Sequence, residues 1–198
     1  AGDWLILSRS NYLLNELDAH CRNLGIYFER KGNPSVSEKK IASVKAWERL
    51  RRGHLAYPED ATSAVAYIKG AKKKSFDNCA PTERLTFSQV LQISGLDEPL
   101  IWHDMFDAIS VSERSYMLSI LRRGEKITGK PRVKLSTIHS AKGGEADNVL
   151  LLTDIPHRTW KSFEKNPDDD TRVFYVGLTR AKKNLHIVQP MSNKYFPM

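Results

Sequence analysis

The segment that most constrains this chain runs from Val133 to Asp154: two apolar stretches joined by a polar loop with two adjacent glycines. Val133, Leu135 and Thr137 alternate with Lys134 and Ser136, which predicts a strand. Val149 to Leu152 is a continuous apolar run, as in a strand covered on both faces. The loop between them, Thr137-Ile-His-Ser-Ala-Lys-Gly-Gly-Glu145, gathers a hydroxyl, an imidazole, an ammonium and a carboxylate around Gly143 and Gly144. Adjacent glycines let a backbone turn sharply or approach a ligand closely. The loop reads either as a polar hairpin or as a ligand-contacting loop.

The N-terminal stretch predicts a βαβ unit. Trp4 to Leu7 reads as a buried strand. Leu13, Leu14, Leu17 and Leu24 form a helical stripe ended by Gly25, and Ile26 to Phe28 begins the next strand. Strands joined through a helix imply a parallel sheet. Ser35 to Glu38 has capping-box spacing, and a helix to about Arg52 follows, rich in Lys39, Lys40, Lys45, Arg49, Arg51 and Arg52. Its basic face serves either as a solvated surface or as a DNA-backbone contact.

From residue 54 to 130 no strand pattern stands out. Helices are expected over 58–69, 86–94, 98–108 and 111–123, forming a compact helical insertion. Gly124 to Lys130 has the spacing of the first seven positions of a phosphate-binding P-loop. Pro131 stands where that motif needs Ser or Thr, and a strand follows where it needs a helix N-terminus, so a helix C-cap and a basic linker are expected instead. Beyond the second apolar run, residues 154–168 read as a surface loop held down by Trp160 and Phe163, with DNA stacking by Trp160 as the other use. Asp168 to Asp170 suit the positive end of a helix, and Leu185 to Val188 is the last expected strand.

The chain has 198 residues, enough for one fair-sized domain or one domain with a small insertion. Its 31 Lys and Arg against 23 Asp and Glu give a net charge of +8, which favours a polyanionic partner. No apolar run approaches a membrane span and no signal-peptide pattern opens the chain, so no membrane partner is expected. The two cysteines, Cys21 and Cys79, have no metal-ligand spacing and are expected to be reduced thiols in a cytoplasmic protein. No His pair has ligand spacing, and no metal site is expected.

Two stretches in order, Thr137-Ile-His-Ser-Ala-Lys-Gly-Gly-Glu145 and Tyr175-Val-Gly-Leu-Thr-Arg-Ala181, resemble motifs V and VI of the UvrD/Rep-like superfamily 1 helicases. The Arg9-Ser-Asn11 segment with its strand and helix is similar to motif IV. The resemblance implies an α/β fold: a RecA-like, P-loop-NTPase-type parallel sheet flanked by helices, the second (2A) motor domain of such a helicase. It divides the chain into a first part of that domain, 1–53, a short 2B-like helical insertion, 54–130, and a second part, 131–198.

The resemblance also implies roles. Arg180 would be the arginine finger and Arg9 a second arginine reaching the γ-phosphate. Glu145 would accept a hydrogen bond from the ribose, with Gly143 giving the backbone room. Thr137 and His139 would face single-stranded DNA. Lys142 would serve either ligand, or solvent. Two departures stand out. Gly144 and Ala146 replace the Leu and Phe that usually flank the glutamate, and Ser8 replaces the tyrosine that stacks on adenine. The full-length enzyme would use ATP and Mg²⁺, translocate 3′ to 5′, and pair this domain with an N-terminal RecA-like domain of the same polypeptide. With no P-loop or acidic Walker B strand, the present segment is expected to bind neither cofactor alone and to be inactive. Other readings are a stand-alone non-catalytic nucleic-acid-binding module and the motor part of a helicase–nuclease.

Overall fold

A computed structural model describes residues 2–125, 127, 129–141 and 143–198. Two compact units emerge, one formed by Ala1–Ser35 with Gly129–Met198 and the other by Val36–Thr128.

The first unit is built on a six-stranded sheet of order β3-β2-β4-β1-β5-β6. β1 (Trp4–Ser8), β4 (Val133–Thr137), β5 (Ala146–Leu152) and β6 (Ala181–Val188) run parallel, as does β2 (Phe28–Arg30) on β4; only the two-residue β3 (Asn33–Pro34) is antiparallel. This is the predicted parallel α/β sheet, with mixed layers of the RecA-like kind. The central strands are apolar because both faces are covered. α1 (Asn11–Asn23) packs on β4 and β1 and buries Leu14 and Cys21. α8 (Asp168–Leu178) lies on the opposite face over Leu5, Leu7, Val149 and Leu151, and it buries Phe174 completely. Gly177 permits that approach: a Cβ there would meet Leu151 Cδ1 at 3.1 Å.

One expectation changes in this unit. Residues 154–168 are not only loop, because α7 (His157–Phe163) forms there and sets Trp160 and Phe163 against the core. Trp160 and Phe163 are ring neighbours at 5.5 Å, so Trp160 is engaged in packing. The C-terminal tail also contributes. Tyr195 bridges Asp154, and Phe196 stacks on Phe174 at 4.4 Å.

The second unit is helical: α2 (Glu38–Arg51), α3 (Pro58–Ala64), a 3-10 turn (Lys73–Asn78), α4 (Phe87–Ser94), α5 (Trp102–Met105) and α6 (Val111–Arg122). Pro58 starts α3. Thr86 and Gln89 close a reciprocal capping box on α4. Gly124, at φ 72°, follows the end of α6; Lys126 and Thr128 of the P-loop-like stretch lie outside the described residues. α3 and α5 are shorter than the sequence indicated. α2 falls in this unit rather than with the sheet, since Trp47 is fully buried edge-on to Phe87 and Phe106 and donates from Nε1 to the Leu100 carbonyl at 2.9 Å. Its N-cap is Ser37, which accepts from the Lys40 N–H, and not Ser35, whose hydroxyl oxygen accepts from the Phe28 N–H. On the basic face of α2, Lys40 is paired with Glu113 and Arg51 with Glu48.

Candidate functional site: two edges of one sheet

In a parallel sheet, residues that follow strands gather at one edge and residues that precede strands gather at the other. β5 and β6 begin in register, Ala146 beside Ala181. Glu145 and Arg180, the residues just before them, therefore sit on adjacent strand starts, about 5 Å apart across the ladder. The Ala146 N–H donates to the Arg180 carbonyl at 3.1 Å and holds the two backbones together. Glu145 is exposed, whereas the Arg180 side chain is half-buried. Its Nε donates to the Val176 carbonyl at 3.0 Å and its Nη2 to the Thr179 hydroxyl at 3.1 Å. The guanidinium thus caps α8 while retaining further N–H groups.

Gly143 adopts φ +81°, a left-handed conformation that side chains resist, and no atom lies within 4 Å of a Cβ built there. It turns the chain into β5. Beside it a cleft of about 460 Å³ is lined by Asp3, Trp4, Lys134, Gly143 and Glu145. Asp3 accepts the Asp147 N–H at 2.8 Å, and this hydrogen bond holds its carboxyl below the usual carboxylate range.

The other edge carries Arg9, Thr137 and His139. Ser8 pairs with Thr137 at the ends of β1 and β4, and the Ile138 N–H extends the ladder to the Ser8 carbonyl at 3.0 Å. Thr137 is turned inward. Its hydroxyl donates to Ser140 Oγ at 2.9 Å and accepts the Ser140 N–H at 3.2 Å, which shapes the turn presenting His139. His139 is exposed. Desolvation first, then the neighbouring Arg9 charge, push its pKa below the usual 6.5, and Asp170 opposes them. Arg9 Nε donates to Asp170 Oδ1 at 2.6 Å, and the Asp170 side chain is only 5% exposed. Lys142 lies outside the described residues.

This geometry corrects the pairing of Arg9 with Arg180. Trp4 is level with Asn148, so Arg9 stands level with Thr153, eight positions beyond Glu145. At about 3.3 Å per residue, roughly 25 Å separates Arg9 from the Glu145–Arg180 edge. Two side chains of arginine length cannot meet on one phosphoryl group across that span. Ser8, which stands where the family's adenine-stacking tyrosine is expected, is fully buried at the far edge and donates to the Ser10 carbonyl at 2.5 Å.

Sequence reasoning also missed Asp170, read only as a helix-start acid. The usable signal was its place in the apolar stripe Asp170, Phe174, Gly177, where a carboxylate needs a partner. Among the described residues no three His, Cys, Asp or Glu side chains gather as a metal site requires, and no helix is long and apolar enough to cross a membrane.

A mostly parallel sheet with a strand–loop–strand spanning both edges, followed by a helix that leads into Thr179-Arg180-Ala181, is an α/β arrangement of the RecA-like kind. Residues 107–191 match the family model described as UvrD-like helicase C-terminal domain. That matched segment, under half of the chain, is similar to the C-terminal domain of UvrD-like helicases. The chain is similar to the ATP-dependent DNA helicase Rep of Escherichia coli (strain K12), 32% identical over 102 residues, which is 50% of this chain and 14% of the relative. It is also similar to the probable DNA helicase II homolog of Rickettsia conorii, 37% identical over 70 residues, 32% of this chain and 11% of that relative. The matched part is therefore a small fraction of each relative's length.

Proposed function

We propose that this chain is the C-terminal motor domain of an ATP-dependent DNA helicase or translocase. It presents Arg180 and Glu145 to ATP along one sheet edge, and Arg9 and His139 to single-stranded DNA along the other. The observation that carries this reading is the path of the motif V loop. It leaves β4 at Thr137, beside Arg9, and enters β5 at Glu145, beside Arg180, so one nine-residue stretch touches both edges. A movement of the loop at one ligand is felt at the other, which is what a motor coupling hydrolysis to stepping requires.

At the nucleotide edge the chain's own groups have distinct tasks. Glu145, exposed beside the cleft, accepts a hydrogen bond from the ribose. Arg180 reaches across to the γ-phosphate bound by an N-terminal RecA-like domain of the same polypeptide. A guanidinium is permanently charged and forks onto phosphate oxygens. Set against the transferring phosphoryl group it is worth about 10³–10⁵ in rate in related NTPases. Mg²⁺ would neutralise phosphate charge, and its ligands belong to that other domain. At the DNA edge Arg9 and neutral His139 contact phosphate and sugar, contacts that hold register without reading sequence. Thr137 braces the turn, and Lys142 of the same loop serves either ligand.

The test is Arg180→Ala in the full-length protein. DNA-stimulated ATPase should fall by about 10³-fold or more, with single-stranded DNA affinity kept. Activity within a few-fold of wild type would refute the finger and favour a non-catalytic nucleic-acid-binding module.

A further inference from the structure

The ion pair between Arg9 and Asp170 joins residues 161 positions apart and is the shortest link between the loop after β1 and α8. Asp170 is almost fully buried, where a carboxylate left without its partner is strongly destabilising. Arg9 spends only Nε on the bond. Its terminal nitrogens have no partner among the described residues and are not among the buried unsatisfied atoms, so they remain open to solvent on a side chain 21% exposed. A guanidinium gripped at Nε has its plane fixed and its outer N–H pair left for a second anion. Asp170 also opens the buried stripe of α8. Phe174 and Gly177 continue it, and Arg180 lies just past the helix end at the opposite edge.

We propose that Asp170 is a positioning residue for DNA: it holds the Arg9 guanidinium beside His139 with its outer nitrogens presented to a backbone phosphate, and it ties that contact to the helix leading to Arg180. The inference rests on reading this edge as the DNA side. Without the carboxylate Arg9 keeps its charge but loses its fixed plane, so DNA affinity falls although a negative charge has been removed. A purely electrostatic account gives the opposite sign.

The experiment measures binding of a fluorescent oligothymidylate to the full-length protein across a salt series. Arg9→Ala should weaken binding and reduce the salt slope by about 0.7, one single-strand phosphate contact. Asp170→Asn should weaken binding by about tenfold, and the double variant should be no weaker than Arg9→Ala alone. Should Asp170→Asn fail to fold, Arg9→Lys, which keeps the charge but has no Nε–H, is expected to show the same loss. Affinity within twofold for Asp170→Asn or Arg9→Lys, or additive effects in the double variant, overturns the positioning role while the DNA edge stands. If Arg9→Ala is also within twofold, the DNA-edge reading itself fails.

Discussion

His139 shows how one residue's surroundings set its working form. Partial burial and the Arg9 charge both disfavour the imidazolium, so the ring is neutral at pH 7, and in the proposed DNA role it acts as a hydrogen-bonding group rather than as a cation. A proton NMR titration of this chain should give His139 a midpoint below 6.5; a midpoint at or above 6.5 would contradict the assignment. The sign for stability follows from linkage. Above pH 6.5 the ring is neutral folded or unfolded and contributes nothing. As pH falls from 6.5 through the lowered folded value, the unfolded chain takes up the proton more readily, so stability declines over that window and levels off below it. Cys21 illustrates a site without chemistry: burial raises its thiol pKa, which keeps it protonated and inert.

At the scale of elements, α8 is the strut between the edges. Its hold on the sheet comes from Phe174, fully buried and stacked on Phe196. Phe174→Ala should destabilise the chain by about 3–5 kcal/mol, read as a shift in the urea midpoint of this chain; a loss under ~1 kcal/mol would show that α8 is anchored elsewhere. The sequence made α1, α8, β1 and β4 plain because each carries its pattern over several residues, Leu13, Leu14 and Leu17 in α1, Val133 and Leu135 in β4, whereas β2 begins two residues later than expected, β6 begins four residues earlier, and the two-residue β3 carries no signal. It misplaced shorter features for local reasons. Ser35 and Ser37 both precede an acceptable helix start, and only the fold gives Ser35 the Phe28 N–H and leaves Ser37 to cap α2. α7 has no buried residue of its own, so its seven residues carry little periodic signal. The opposition of Arg9 to Arg180 was within reach of the sequence. Arg9 follows a strand and Arg180 precedes one, and in a parallel sheet that alone assigns opposite edges. Asp170 was less legible, since its partner is 161 residues away.

For the molecule as a whole, the proposed function makes the sheet a divider about one strand long, assigning nucleotide chemistry to the strand starts at Glu145 and Arg180 and DNA contacts to the strand ends around Arg9 and His139. The loop from Thr137 to Glu145 and α8 both run from one edge to the other, and under the proposed function this lets either ligand bias the other without touching it. The direct measurement is a structure of the full-length protein bound to single-stranded DNA and ADP–aluminium fluoride, a mimic of the phosphoryl transition state. The account predicts the Arg180 guanidinium about 3 Å from the fluoride, with Arg9 on a DNA phosphate roughly 25 Å away. Arg9 and Arg180 together on the fluoride, or DNA running past Glu145, would contradict it.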